Sequence, residues 1–167
     1  MTLNRKDDEM KPVKLNEIFE SIVLQSEIIL SFLDRETGIV FSIDEEDLRL
    51  AESLSDDDLS AYPEWKQNNV RRAMDLIRSD GSGRYLRLPA SYEIHEYQIM
   101  EEFIESLKNE FIRDALSHAI RGRGAFRRFK DAVIDYGVAS EWYDYRDKAL
   151  RLIVIEWCRK NNVPFTE

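Results

Sequence analysis

The ten residues RGRGAFRRFK, positions 121–130, carry five cations, and no acid occurs between positions 115 and 130. Arg121, Arg123, Arg127, Arg128 and Lys130 are the residue types that bind anions. Guanidinium forks match phosphate oxygens, and the glycines at 122 and 124 place loop amides at a helix start, where the backbone is electropositive. That combination suits a phosphate group or an RNA backbone. A competing reading is an internal balance of charge. Residues 1–60 hold sixteen acids against six bases, residues 120–160 hold ten bases against six acids, and the whole chain carries a net charge of -9. Nucleic-acid domains are usually basic overall, so the acidic total favours arginines lying against the protein's own acidic half. Phe126 and Phe129 share a helical face with Val133, which marks them as core residues and not as platforms for bases.

A second constellation follows from helical phase. Over residues 91–107, SYEIHEYQIMEEFIESL, a helix puts Tyr97, Met100, Phe103, Ile104 and Leu107 on one face. Glu96 falls inside that face and His95 on its polar flank. In the last helix Arg146 falls among Trp142, Tyr145, Ala149, Leu152, Ile153 and Trp157. A carboxylate and a guanidinium on apolar faces each need a partner, so Glu96 and Arg146 are expected to pair, either as a docking device or around a polar pocket with His95. Metal chemistry has little to work with: His95, His118 and Cys158 are isolated in sequence, and no cofactor motif is present. Cys158 reads as a buried helix residue with no histidine nearby to activate it.

These residues need elements to hold them. Residues 1–12 are polar and aperiodic, a flexible tail ahead of a single globular domain over residues 13–167. Leu15, Ile18, Phe19, Ile22 and Val23 predict a short helix capped by Asn16. Residues 28–34 and 39–44 alternate β-branched and aromatic residues around Arg35-Glu36-Thr37-Gly38, which predicts a hairpin. Its core side comprises Ile28, Leu30, Phe32, Ile39, Phe41 and Ile43. Asp44 caps an acidic helix, and the acidic run 55–58 reads as a helix start and solvated loop. Pro63 opens a helix with Trp65, Asn69, Ala73, Leu76 and Ile77 on one face. A glycine-containing loop over 79–83 leads to an edge strand at 85–88, stopped by Pro89. Helices follow around Leu116, over 125–136, and from a Ser140 cap to Lys160.

The sum is an α+β fold, mainly helical, with a small antiparallel sheet built on the N-terminal hairpin. No apolar run reaches membrane-spanning length. One cysteine and a polar N-terminus without a signal-peptide core point to the cytoplasm. The blocks RGRGAFRRFKD, EWYDYRDKAL and IEWCRKN, with LDRETGIV and YLRLPASYEIHEYQIMEEFI before them, resemble the bacterial uncharacterised protein family 0158. The resemblance covers roughly residues 15–163. It implies no cofactor, reaction or catalytic residue, since that family's function is unassigned. The expected function is a non-catalytic cytoplasmic binding or interaction module whose partner is a protein or a phosphate-bearing ligand. Nucleic-acid or phosphate binding through 121–130 is the alternative, and an enzyme site near His95, Glu96 and Arg146 the third.

Overall fold

The computed structural model describes residues 10–26, 28–55, 57–90 and 94–167. Residues 1–9 of the expected tail, Asp56 of the acidic run and residues 91–93 of the expected fourth helix lie outside these. The fold is α+β and mainly helical. It divides into two compact units, Met1–Ser91 with Val154–Glu167, and Tyr92–Ile153. Among the described residues no helix is long and apolar enough to cross a membrane.

The first unit begins with a two-residue strand β1 (Val13–Lys14) and helix α1 (Leu15–Val23). Asn16 is not its cap: Lys14 holds that position, and the Asn16 amide donates to Glu20 Oε1 at 2.6 Å inside the helix. Strands β2 (Ile29–Asp34) and β3 (Ile39–Asp44) form the hairpin, with Gly38 at φ +71° closing the loop. Strand β4 (Tyr85–Arg87) adds antiparallel on the other side of β2, so the sheet order is β3-β2-β4 and β4 is an edge. Asp44 accepts from the Glu46 N–H at 2.7 Å and caps α2 (Glu45–Ser53). A 3-10 turn at Asp58–Ala61 precedes α3 (Glu64–Arg78).

Phe32, Phe41 and Ile43 form the core against Ala73, flanked by Leu48 and Ala51 of α2 and Leu76 of α3. Ile28 and Ile39, expected in this core, are exposed because they sit at the two ends of the hairpin. The opposite face is covered as well. Leu33 and Ser31 are fully buried there, and the Ser31 and Ser42 hydroxyls share a hydrogen bond of 2.9 Å. On α3 the buried stripe is Val70, Ala73 and Met74, with Trp65 exposed. Leu59 of the 3-10 turn packs on Val70 and Met74 and so turns the helix from its expected phase.

The second unit holds α4 (Glu96–Ser106), α5 (Glu110–Ala119), α6 (Ala125–Asp135) and the first part of α7 (Ala139–Lys160). Its core is aromatic. Phe129 meets Trp142 edge-on at 4.8 Å between ring centres, and Phe103 lies 5.3 Å from Trp142 and 6.3 Å from Phe129. Ile99, Met100, Leu116 and Val133 complete it. Ser140, expected to cap α7, lies within its first turn. The buried stripe of α7 is Trp142, Leu150, Val154 and Cys158, spaced by multiples of four with the half-buried Arg146 at the intervening position, and Leu152 faces solvent.

Candidate functional site

The basic stretch folds as the connection between α5 and α6 and the first turns of α6. Helix α5 ends at Ala119 with Ile120 as its cap, and Gly122 and Gly124 then take φ of +74° and +80°. Such a tight turn leaves helix-end carbonyls without intrahelical partners. Arg128 supplies them. Its guanidinium donates to the carbonyls of Ala119 at 3.1 Å, Arg121 at 2.5 Å and Arg123 at 2.5 Å. Spaced to pair with Asp131, Arg128 turns back to the loop instead. Three of its five N–H donors hold the loop, a role that none of the other four cations shares.

Arg121, Arg123, Arg127 and Lys130 are all exposed. Arg121, Arg123 and Arg127 lie at the start of α6 and Lys130 in its second turn; Gly124 is the cap residue, no side chain caps the first-turn amides, and no acid lies in that turn. The expected division of the two phenylalanines is only half right. Phe129 is core, but Phe126 is 54% exposed. Phe126 precedes the turn that packs into the aromatic core and lies T-shaped to Tyr97, with ring centres 6.5 Å apart. The Tyr97 hydroxyl donates to the Ile120 carbonyl at 3.1 Å, which ties α4 to the same loop. Two cavities flank the loop. One of about 240 Å³ is lined by Tyr97, Glu101, Glu105, Ser117, Ile120 and Arg121. The other, about 430 Å³ and shallower, includes His118, Arg128, Asp131 and Asp135.

The structure brings Glu96 and Arg146 together: Arg146 Nε donates to Glu96 Oε1 at 2.5 Å. The pair is not buried, however. The Arg146 side chain is 24% and the Glu96 side chain 37% exposed. Glu96 is the first residue of α4 and lies one turn before the buried Ile99 and Met100, so solvent reaches it from the helix end. At that end its carboxylate also meets the positive pole of the helix. His95 is exposed at the cap position and makes no capping hydrogen bond. Neither Glu96 nor Arg146 lines either cavity beside the loop.

Two charge clusters in the first unit were missed by sequence reasoning. Arg84 grips Asp34 with two hydrogen bonds, 3.1 and 2.9 Å, and reaches Glu36 at 3.1 Å. Burial would raise the Asp34 carboxyl, but hydrogen bonds from Arg84, from the Glu36 N–H and from Thr37 hold it below its usual range. Lys66 pairs with the buried Asp47 at 2.7 Å and with Glu46 at 3.5 Å; the Asp47 hydrogen bond raises its pKa despite desolvation. Asp47 falls on the α2 stripe of Leu50 and Leu54, so the helical-phase argument that selected Glu96 and Arg146 applies to it too. Asp34 carried a weaker signal, a carboxylate closing a strand before a turn. Cys158 is fully buried, and burial pushes its thiol up to about 11. Among the described residues no group of three or more His, Cys, Asp or Glu side chains converges in a way that could hold a metal ion.

A family model described as an uncharacterised protein family, UPF0158, matches residues 10–167. No curated protein and no solved structure matches the chain.

Proposed function

Because the chain belongs to the uncharacterised protein family UPF0158, a membership that brings no chemistry with it, we propose a function from its own surface: a non-catalytic binding module that holds nucleic-acid phosphates on the α5–α6 loop. The observation that carries this reading is Phe126, an exposed aromatic ring in the first turn of a helix with no side-chain cap, flanked in sequence by four exposed cations. A ring in such a place can stack on a base while the arginines hold the backbone, the pairing used by single-strand binders. A buried Phe126 would have left only a solvated basic face. Arg128 is left out of the binding set because its guanidinium already holds three loop carbonyls in place. A single cysteine, buried and unpaired, is compatible with the reducing cytoplasm, where such a module would meet RNA.

The test is the salt dependence of binding to a labelled single-stranded oligonucleotide, followed by fluorescence anisotropy. With four cations in contact, log K should fall against log salt with a slope of at most about -3, since each neutralised phosphate contributes about -0.7. Arg123→Ala combined with Arg127→Ala should reduce that slope by about 1.4 while the melting temperature stays unchanged. An absence of binding at low salt, or a slope indifferent to the double substitution, contradicts the proposal.

A further inference from the structure

We infer that the cavity beside this surface, between α4 and α5, receives an unpaired guanine base of a bound single strand; the inference rests on the nucleic-acid reading above. Tyr97, Glu101 and Glu105 are spaced four residues apart and so form one inclined row of neighbours along α4. They line a cavity of about 240 Å³, faced by Ser117, Ile120 and Arg121. Tyr97 is fixed in place by its hydroxyl's bond to the Ile120 carbonyl, and its ring stands edge-on to Phe126. The cavity therefore opens beside the exposed ring and shares Arg121 with the basic surface. A strand whose phosphates lie on Arg121, Arg123 and Arg127 has a neighbouring recess into which one base can turn.

The lining selects among bases. Carboxylates accept hydrogen bonds and cannot donate them. Guanine alone of the four common bases presents two adjacent donors, the ring N1–H and the exocyclic amine, to one carboxylate. Adenine and cytosine each set a ring acceptor beside their amine, and uracil flanks its one donor with two carbonyls; each of these would put an acceptor against Glu101 or Glu105. A duplex cannot enter, because the donor edge of guanine is occupied by pairing. Two acids beside a phosphate-binding surface would otherwise only weaken it. Their place in a recess walled by an aromatic ring gives them a use in reading the base.

The experiment measures binding of single-stranded uridine tracts of one length carrying guanosine, inosine or adenosine at two central positions, with the deoxyribose equivalents in parallel. Inosine keeps N1–H but lacks the exocyclic amine. Guanosine should bind about tenfold tighter than inosine or adenosine, the discrimination of a good bidentate contact. Guanine preference in either sugar series supports the inference, and the tighter series names the source. Glu101→Gln with Glu105→Gln should abolish the preference; with two negative charges gone, every strand should also bind somewhat more tightly, so the readout is the ratio between strands. A preference that survives this double variant overturns the assignment to this cavity. Equal binding of all strands, or equal binding of a guanine-containing duplex, overturns the guanine inference and leaves the phosphate surface standing. If no strand binds at low salt, both fall.

Discussion

At the scale of single residues, charge placement decides more here than charge number. Arg127 and Arg128 are neighbours of one type, yet Arg128 closes a loop and Arg127 faces solvent. Composition cannot separate them, because what separates them is three carbonyls stranded by two left-handed glycines. Glu96 and Arg146 were legible because each interrupts an apolar stripe, and a charge in such a place must be paired. Their partial exposure was not legible, since it depends on where α4 begins. Asp34 offers the sharpest residue-level test. Its carboxyl ionises more readily folded than unfolded. It therefore contributes stability that is complete above the unfolded pKa near 4 and is lost as the pH falls through the lower folded value. Asp34→Asn should cost about 2 kcal/mol at neutral pH, the scale of a hydrogen bond to a charged group. Urea denaturation of parent and variant should then converge as the solution is acidified. A difference that stays constant into acid would mean that the carboxylate charge is not what stabilises.

At the scale of elements, legibility followed how many phases a segment allowed. The hairpin was readable because a period of two leaves only two faces and Gly38 marks the turn. The edge strand was readable because Pro89 forbids a central place. Helix α7 was legible in extent but not in orientation. From Ala149 to Ile155 every residue except Arg151 is apolar, so several stripes fit equally well. Tertiary packing chose Leu150, Val154 and Cys158 and left Leu152 outside. Phe126 was lost for a related reason: its i+3 relation to Phe129 places it near the core face, but it lies in the first turn, beyond the reach of the aromatic cluster. The hairpin turn can be tested directly. At Gly38 an added Cβ would lie 3.1 Å from the Lys11 carbonyl oxygen and 3.3 Å from the Lys11 Cβ, on a backbone already at φ +71°. Gly38→Ala should therefore cost about 2 kcal/mol from left-handed strain alone, more if the chain at Lys11 cannot move aside. A thermal melt shifted by less than about 2 °C would show that the turn relaxes to another conformation.

At the scale of the whole molecule, chain order and structural grouping disagree. The first unit is assembled from residues far apart in sequence, whereas the second is continuous from Tyr92 to Ile153. The last residues complete the first unit through backbone as much as side chains. Strand β5 (Phe165–Thr166) runs parallel to β1, with Val13 opposite Phe165. The Val13 N–H donates to the Pro164 carbonyl at 3.0 Å, and Arg35 of the hairpin loop donates to the Asn161 carbonyl at 2.7 Å. Val163 is buried, as is Val13. Removing residues 161–167 should cost about 3 kcal/mol, from one buried valine side chain and the hydrogen bonds that leave with it. That corresponds to a fall of about 10 °C in melting temperature for a chain of this size. Amide exchange sharpens the test, because protection reports local opening residue by residue. Loss of protection should concentrate in β1, α1 and the hairpin, while Met100, Phe103, Leu116, Phe129 and Val133 keep theirs. Equal loss in both units would show that they open as one cooperative body, and the grouping of residues into two units would then describe proximity without independent stability.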